Sequence, residues 1–163
     1  MIILVLISIM SISVSIWLLI HREPTEILAP DYAPQETEKN VETIPGDENK
    51  QADHKKNGGS VSLQYSDQLV IDLKTQTVHL FFANPGRSNQ DVIIRLVIQD
   101  EVIVQSGILP PAHRITVLNV SEDVAQKLLP GGYNGLLEIL YYDTESGERA
   151  MVETEIPVRI TVK

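Results

Sequence analysis

The chain has 163 residues, 22 acidic and 13 basic side chains, a net charge of −9 and no cysteine. That excludes disulfides and a lipid-modified N-terminal cysteine, and the acidic balance argues against nucleic acid as a partner. The mean hydropathy of zero averages three unlike parts: 16 of the first 20 residues are apolar and none is charged, 8 of the next 40 are apolar, and 46 of the remaining 103.

Residues 1–20, MIILVLISIMSISVSIWLLI, are long enough as a helix to cover roughly 30 Å, the hydrocarbon thickness of a bilayer. Trp17 lies toward the end of the run, where an indole suits the headgroup level. The expectation is a single transmembrane helix. Ser13-Val14-Ser15 offers a small-x-small cleavage site, but the apolar run continues through Ile20, so the segment reads as an uncleaved signal anchor. Arg22 alone would place the C-terminal part inside the cell. The build of an anchor, a spacer and a β-rich module places the C-terminal domain outside, at the cell membrane.

Residues 21–60 carry nine acidic and five basic side chains and four of the nine prolines, and end in Asn57-Gly58-Gly59-Ser60. So few aliphatic side chains cannot offset the entropy of ordering the chain, and the tract reads as a disordered acidic linker. As a coil, 40 residues span roughly 35 Å.

From Val61 the apolar residues recur with period two. Val78, Leu80 and Phe82 share one strand face, as do Val92, Ile94, Leu96 and Ile98, and Ile156, Val158, Ile160 and Val162. Further strands are predicted near 68–73, 102–106, 113–120 and 134–142. Turn signals separate them at Asn84-Pro85-Gly86, Gln99-Asp100-Glu101, Pro110-Pro111, Pro130-Gly131-Gly132 and Glu145-Ser146-Gly147. Ser121 is placed to cap one short helix running to about Leu128. About seven short strands at this spacing predict an all-β domain over 61–163, an immunoglobulin-like or fibronectin-like antiparallel β-sandwich.

Leu129-Pro130-Gly131-Gly132-Tyr133, just before a predicted strand, resembles the tyrosine corner of such domains, which implies a Tyr133 hydroxyl bonded back to upstream backbone. With no disulfide and no Trp in the domain, the resemblance is to bacterial Ig-like modules. Asn84-Pro85 with Asn89, Gln105-Ser106-Gly107-Ile108-Leu109-Pro110, the corner, and Tyr142-Asp143-Thr144-Glu145-Ser146-Gly147-Glu148 are together similar to small membrane-anchored or exported proteins of Gram-positive bacteria. That group usually carries Pro-Gly where this chain has Pro111-Ala112. The resemblance implies fold and location and brings no established activity.

Catalytic chemistry finds little material. There is no cysteine and no Gly-x-Ser-x-Gly elbow. His79 alternates onto an outward strand face and His113 follows a Pro-Pro loop. No cofactor is implied, and the chain is expected not to be an enzyme. Asp143, Glu145 and Glu148 supply hard oxygen ligands of the kind Ca²⁺ accepts, without EF-hand spacing, so that a hairpin turn with Gly147 at positive φ is the simpler expectation.

The sharper expectation concerns a surface. If Leu137, Ile139 and Tyr141 face the core, Leu136, Leu140 and Tyr142 face outward, beside Ile93 and Val97 of a neighbouring strand. Five apolar side chains on one outer face would bind a protein partner or a second copy of the domain. A bulge that shifts the parity, or the helical segment laid over the face, would bury them instead. The sequence therefore predicts a single-pass membrane protein whose domain recognises a protein partner. The alternative is a structural accessory subunit of an envelope transport, secretion or conjugation complex. A sugar-binding platform is weaker, because the domain has no Trp.

Overall fold

The computed structural model describes residues 36–47 and 59–163; the expected transmembrane helix lies outside the described residues. Among these no helix is long and apolar enough to cross a membrane. The alternating runs form strands: β1 Val41–Thr43, β2 Gln64–Tyr65, β3 Gln68–Asp72, β4 Thr77–Asn84, β5 Gln90–Ile98, β6 Glu101–Gln105, β7 His113–Asn119, β8 Gly131–Asp143 and β9 Arg149–Val162, with α1 Glu122–Lys127 between β7 and β8.

All nine belong to one sheet with the order β1-β7-β4-β3-β9-β8-β5-β6, and β2 adds to β4. Each pair is antiparallel except β3 with β9, which run parallel from Gln68–Arg159 to Ile71–Val162. The sheet curls so that one face of β3 to β9 encloses a common core of Phe82, Leu69, Ile71, Ile94, Leu96, Ile115, Leu137, Ile139 and Ile160. The result is an all-β, sandwich-like fold. Burying apolar side chains of this size contributes about 1.5–3 kcal/mol each, which offsets the ordering entropy of the strands.

The predicted turns have specific geometry. Gln99 and Asp100 connect β5 to β6 with φ of 52° and 65°, the two-residue connection whose twist matches that of the flanking strands. Ala112 also has positive φ, 63°, a region that disfavours any side chain with a Cβ. Ala112→Gly is expected to stabilise the domain by about 0.5–1 kcal/mol, measured as a rise in the denaturation midpoint. A lowered midpoint would mean that the buried Ala112 methyl outweighs the relief of strain.

Helix α1 differs in detail from its prediction. Ser121 precedes it in an extended conformation, but its side chain makes no capping bond. Glu122 and Asp123 in the first turn and Lys127 in the last complement the helix dipole instead. Ala125 is buried, and Val124 and Leu128 pack against the main core.

The acidic linker requires a correction, because its residues 36–47 are ordered and belong to the domain. Glu38 N donates to Ile108 O at 2.9 Å, and Ile108 N to Glu36 O at 3.1 Å. Gly107 N donates to Glu38 Oε2 at 2.8 Å. The chain then crosses to β7, where Val41–Thr43 pair antiparallel with His113–Ile115, and Ile44 N donates to Ala112 O at 2.8 Å. Asp47 Oδ2 accepts from Gly86 N at 2.7 Å. This segment is a clasp between the two ends of the curled sheet. It lies beside the end of the β6 edge and shields β7, which would otherwise present a row of unpaired main-chain groups. Two glycines mark its path. A Cβ on Gly107 would stand 2.8 Å from Glu38 N and 2.9 Å from Glu36 O, and one on Gly86 would collide with Asp47 O. Main-chain hydrogen bonding is indifferent to polarity, which is why a charged tract can serve as a strand.

Candidate partner-binding site

The outer-face residues meet as the alternation predicts. Ile93 pairs with Leu140, Val97 with Leu136 and Asp91 with Tyr142 across β5 and β8, while Leu137, Ile139 and Tyr141 join the main core. Their exposure is what differs. Ile93, Leu140 and Tyr142 form a second apolar cluster with exposures of 0, 1 and 2%, Val97 is buried, and Leu136 is half-buried. Five side chains expected to be open to a partner are thus largely withdrawn from solvent. Shielding large apolar groups on adjacent strands is worth more than the contacts of any one of them with water. The Arg149–Glu153 ion pair, at 2.8 Å, borders the cluster, since Tyr142 pairs with Arg149 and Leu140 with Glu153. Between these two registers β9 carries two extra residues, and the bulge leaves Met151 fully exposed and Val152 largely so.

Of the three carboxylates weighed for Ca²⁺, that of Asp143 is engaged by a turn. Asp143 Oδ1 accepts from Glu145 N, Ser146 N and Ser146 Oγ at 3.0, 2.8 and 3.0 Å, and Gly147 takes φ of 69°. Among the described residues no group of three His, Asp or Glu side chains is arranged to hold a cation. His79 is exposed, and His113 Nδ1 lies 2.8 Å from Pro111 O. Tyr133 Oη donates to Leu129 O at 2.9 Å, the backward bond that the corner motif implies.

Asp91, beside the second cluster, has a carboxyl held above the ordinary 3.8, first by burial and then by the nearby Asp143 carboxylate, with His113 opposing. A carboxyl that binds its proton more tightly when folded favours folding while protonated. Its contribution is present below about pH 3.8 and is lost as the pH rises through the raised value. Asp91→Asn is therefore expected to melt higher than the unsubstituted chain at neutral pH, with the gap closing in acid. Thermal unfolding from about pH 3 to 8 checks it, and equal melting at neutral pH would contradict the expectation.

The surface that does remain open lies elsewhere. A cleft of about 520 Å³ separates the start of β6 from α1 and the corner segment, lined by Val102, Ile103, Val124, Leu128, Leu129 and Tyr133. Val102 is 50% and Leu129 70% exposed, unusual for aliphatic residues flanking an open cavity. β6 is the end strand of the sheet, so its outer edge has no strand partner over Glu101–Gln105 among the described residues. The periodicity of 102–106 was legible in the sequence, but nothing in it placed α1 and Leu129 beside this strand.

The fold and the cleft define an all-β, sandwich-like module in which the terminal strand β6 borders an open cleft. No protein-family model matches the chain, and no curated protein matches it. Among solved structures it is similar to AggA, the major subunit of aggregative adherence fimbriae type I from Escherichia coli, at 13% identity, over 68% of this chain and 99% of that chain, with a TM-score of 0.35. The likeness is a loose one between β-rich chains.

Proposed function

We propose that the chain is a non-catalytic binding module, an immunoglobulin-like domain of the kind found in small anchored proteins of Gram-positive bacteria. It is held at the outer side of the cell membrane by residues 1–20 and recognises a protein partner. The observation that carries this reading is an uncharged 20-residue apolar run ahead of an all-β domain that keeps exposed aliphatic side chains around an open cleft. A soluble domain rarely leaves such a site without use. The clasp favours the accessory-subunit alternative to a degree, because ordering from Glu36 reduces the spacer to residues 21–35. At about 3.5 Å per residue these reach roughly 50 Å when fully extended, so the partner must be reachable near the membrane.

The test is made in intact cells. The domain should resist alkaline extraction from membranes, be cut by protease added outside the cells, and crosslink to a specific membrane or envelope protein from a photoreactive residue at position 102 or 129. Release of the domain into the medium would refute the permanent anchor. Protection from external protease would refute the orientation.

A further inference from the structure

We infer that the clasp is a releasable length of tether: a pull between the membrane anchor and a partner held at the cleft detaches residues 36–47 while the rest of the sheet stays folded. This rests on the reading of the chain as an anchored binding module and adds how far that module reaches. Force applied through residues 21–35 enters the domain at Glu36. The first bonds to bear it are those of Glu36 and Glu38 to Ile108 and of Glu38 Oε2 to Gly107 N. Next in chain order come the three-residue ladder of β1, Ile44 N to Ala112 O and Asp47 Oδ2 to Gly86 N. Little apolar burial backs these bonds. All twelve residues of the clasp are half-buried or exposed. Of their side chains only Val41 packs against the core, to which β3 through β9 each contribute buried residues. A segment held by accessible hydrogen bonds with few buried apolar contacts opens at a lower free energy than the core strands. Asn40 favours release further, because its Nδ2 is buried without an acceptor and regains one from water when the clasp lifts.

Release has a defined end. Ser60 N donates to Asn89 Oδ1 at 2.7 Å and Asn89 N to Ser60 O at 2.9 Å, with Ser62 N to Ser88 Oγ at 3.0 Å just beyond. Ser88 and Asn89 are buried, so this lock belongs to the body of the domain. A pull that has lifted the clasp is therefore taken up next at Ser60, and the chain set free is residues 36–59, 24 in number. The tether grows from residues 21–35 to residues 21–59, from roughly 50 Å to roughly 135 Å when fully extended. The body of the domain loses little. β7 keeps its ladder to β4, from Thr77–Asn119 to Asn84–His113, and Ile115 and Leu118 keep their place in the core. Water takes over the main-chain groups of His113–Ile115 that β1 had paired, so none is left buried and unmet. The close approaches of the clasp to Gly107 and Gly86 give it one seat to return to when the pull ends.

Optical-tweezers pulling on the full chain in detergent micelles tests this. The protein has no cysteine, so Gln35→Cys and Leu129→Cys give unique handles, one on the tether side of the clasp and one at the cleft. Expected is a first, reversible step that lengthens the chain by about 6–8 nm, within the extended length of 24 residues, at a force well below that of a second step that unfolds the sheet. With Gly107→Val added, the first step should weaken or vanish and the second remain. Gly132→Ala, where an added Cβ meets nothing within 4 Å, should move neither. Without force, the amide of Ile44 should be about a hundredfold less protected from exchange than those of the β5–β8 ladder. A single rip from Glu36 into the sheet, a first step that Gly107→Val leaves unchanged, or a Gly107→Val chain that has lost the second step as well would each overturn the releasable tether. Equal protection at Ile44 and in the ladder would do the same. These readouts need neither a membrane nor a partner. Release of the domain into the medium, which refutes the anchor, leaves the two steps in place, and a single rip leaves the anchored module standing with a short tether.

Discussion

Leu140→Ala is expected to destabilise the domain by about 3 kcal/mol, within the 2–5 kcal/mol typical of a leucine removed from a closed apolar site. Leu140 is 1% exposed and, among the described residues, clusters with Ile93 and Tyr142, so truncating it leaves a cavity at a site closed to water. Leu129→Ala, at a position 70% exposed, serves as the reference and should cost no more than about 0.5 kcal/mol. Equilibrium denaturation of both variants separates two views of the β5–β8 outer face. If Leu140→Ala costs as little as Leu129→Ala, the face is open and returns as a candidate partner surface.

Gly107→Val should cost a comparable amount by a different route. The valine Cβ would fall 2.8–2.9 Å from the backbone of Glu38 and Glu36, and backbone cannot swing aside as a side chain tip can. The clasp must lift, which removes the two main-chain bonds between Glu36–Glu38 and Ile108 and the Gly107–Glu38 bond. At about 1 kcal/mol net for each, the loss is about 3 kcal/mol. It extends further if β1 is released as well. The Glu42–Arg114 ion pair, 3.0 Å and exposed, adds little against it. Gly132→Ala, where an added Cβ meets nothing within 4 Å, is the control. Amide exchange at Val41–Thr43 should rise in Gly107→Val and not in Gly132→Ala. Unchanged protection of β1 in Gly107→Val would show that the clasp is not seated on Gly107.

Much of the fold was legible because strand periodicity is a local property. Val78, Leu80 and Phe82, or Ile156 to Val162, declare their inward face by alternation alone, and Gln99-Asp100 and Gly147 declare their turns by residue type. The same alternation put Ile93, Val97, Leu136 and Leu140 on one outer face, and the structure supplies the register that pairs Ile93 with Leu140 and Val97 with Leu136. It could not say that the face so formed would be shielded, because parity states which side a residue takes and nothing about what lies beyond it. The open cleft was hidden for the same reason: Val102 and Leu129 are 27 positions apart in the sequence and meet only through the path of α1.

What the sequence by itself determined is the division into an apolar run, a polar tract and a β-rich domain, together with the strand faces and most of the turns. Each comes from composition or from a two-residue period. Only the tertiary structure decided that residues 36–47 are part of the domain, that the β5–β8 outer face is withdrawn from water, and that a cleft opens between β6 and α1. These depend on main-chain hydrogen bonds and on packing between distant segments, and neither leaves a mark on the pattern of side chains along the chain.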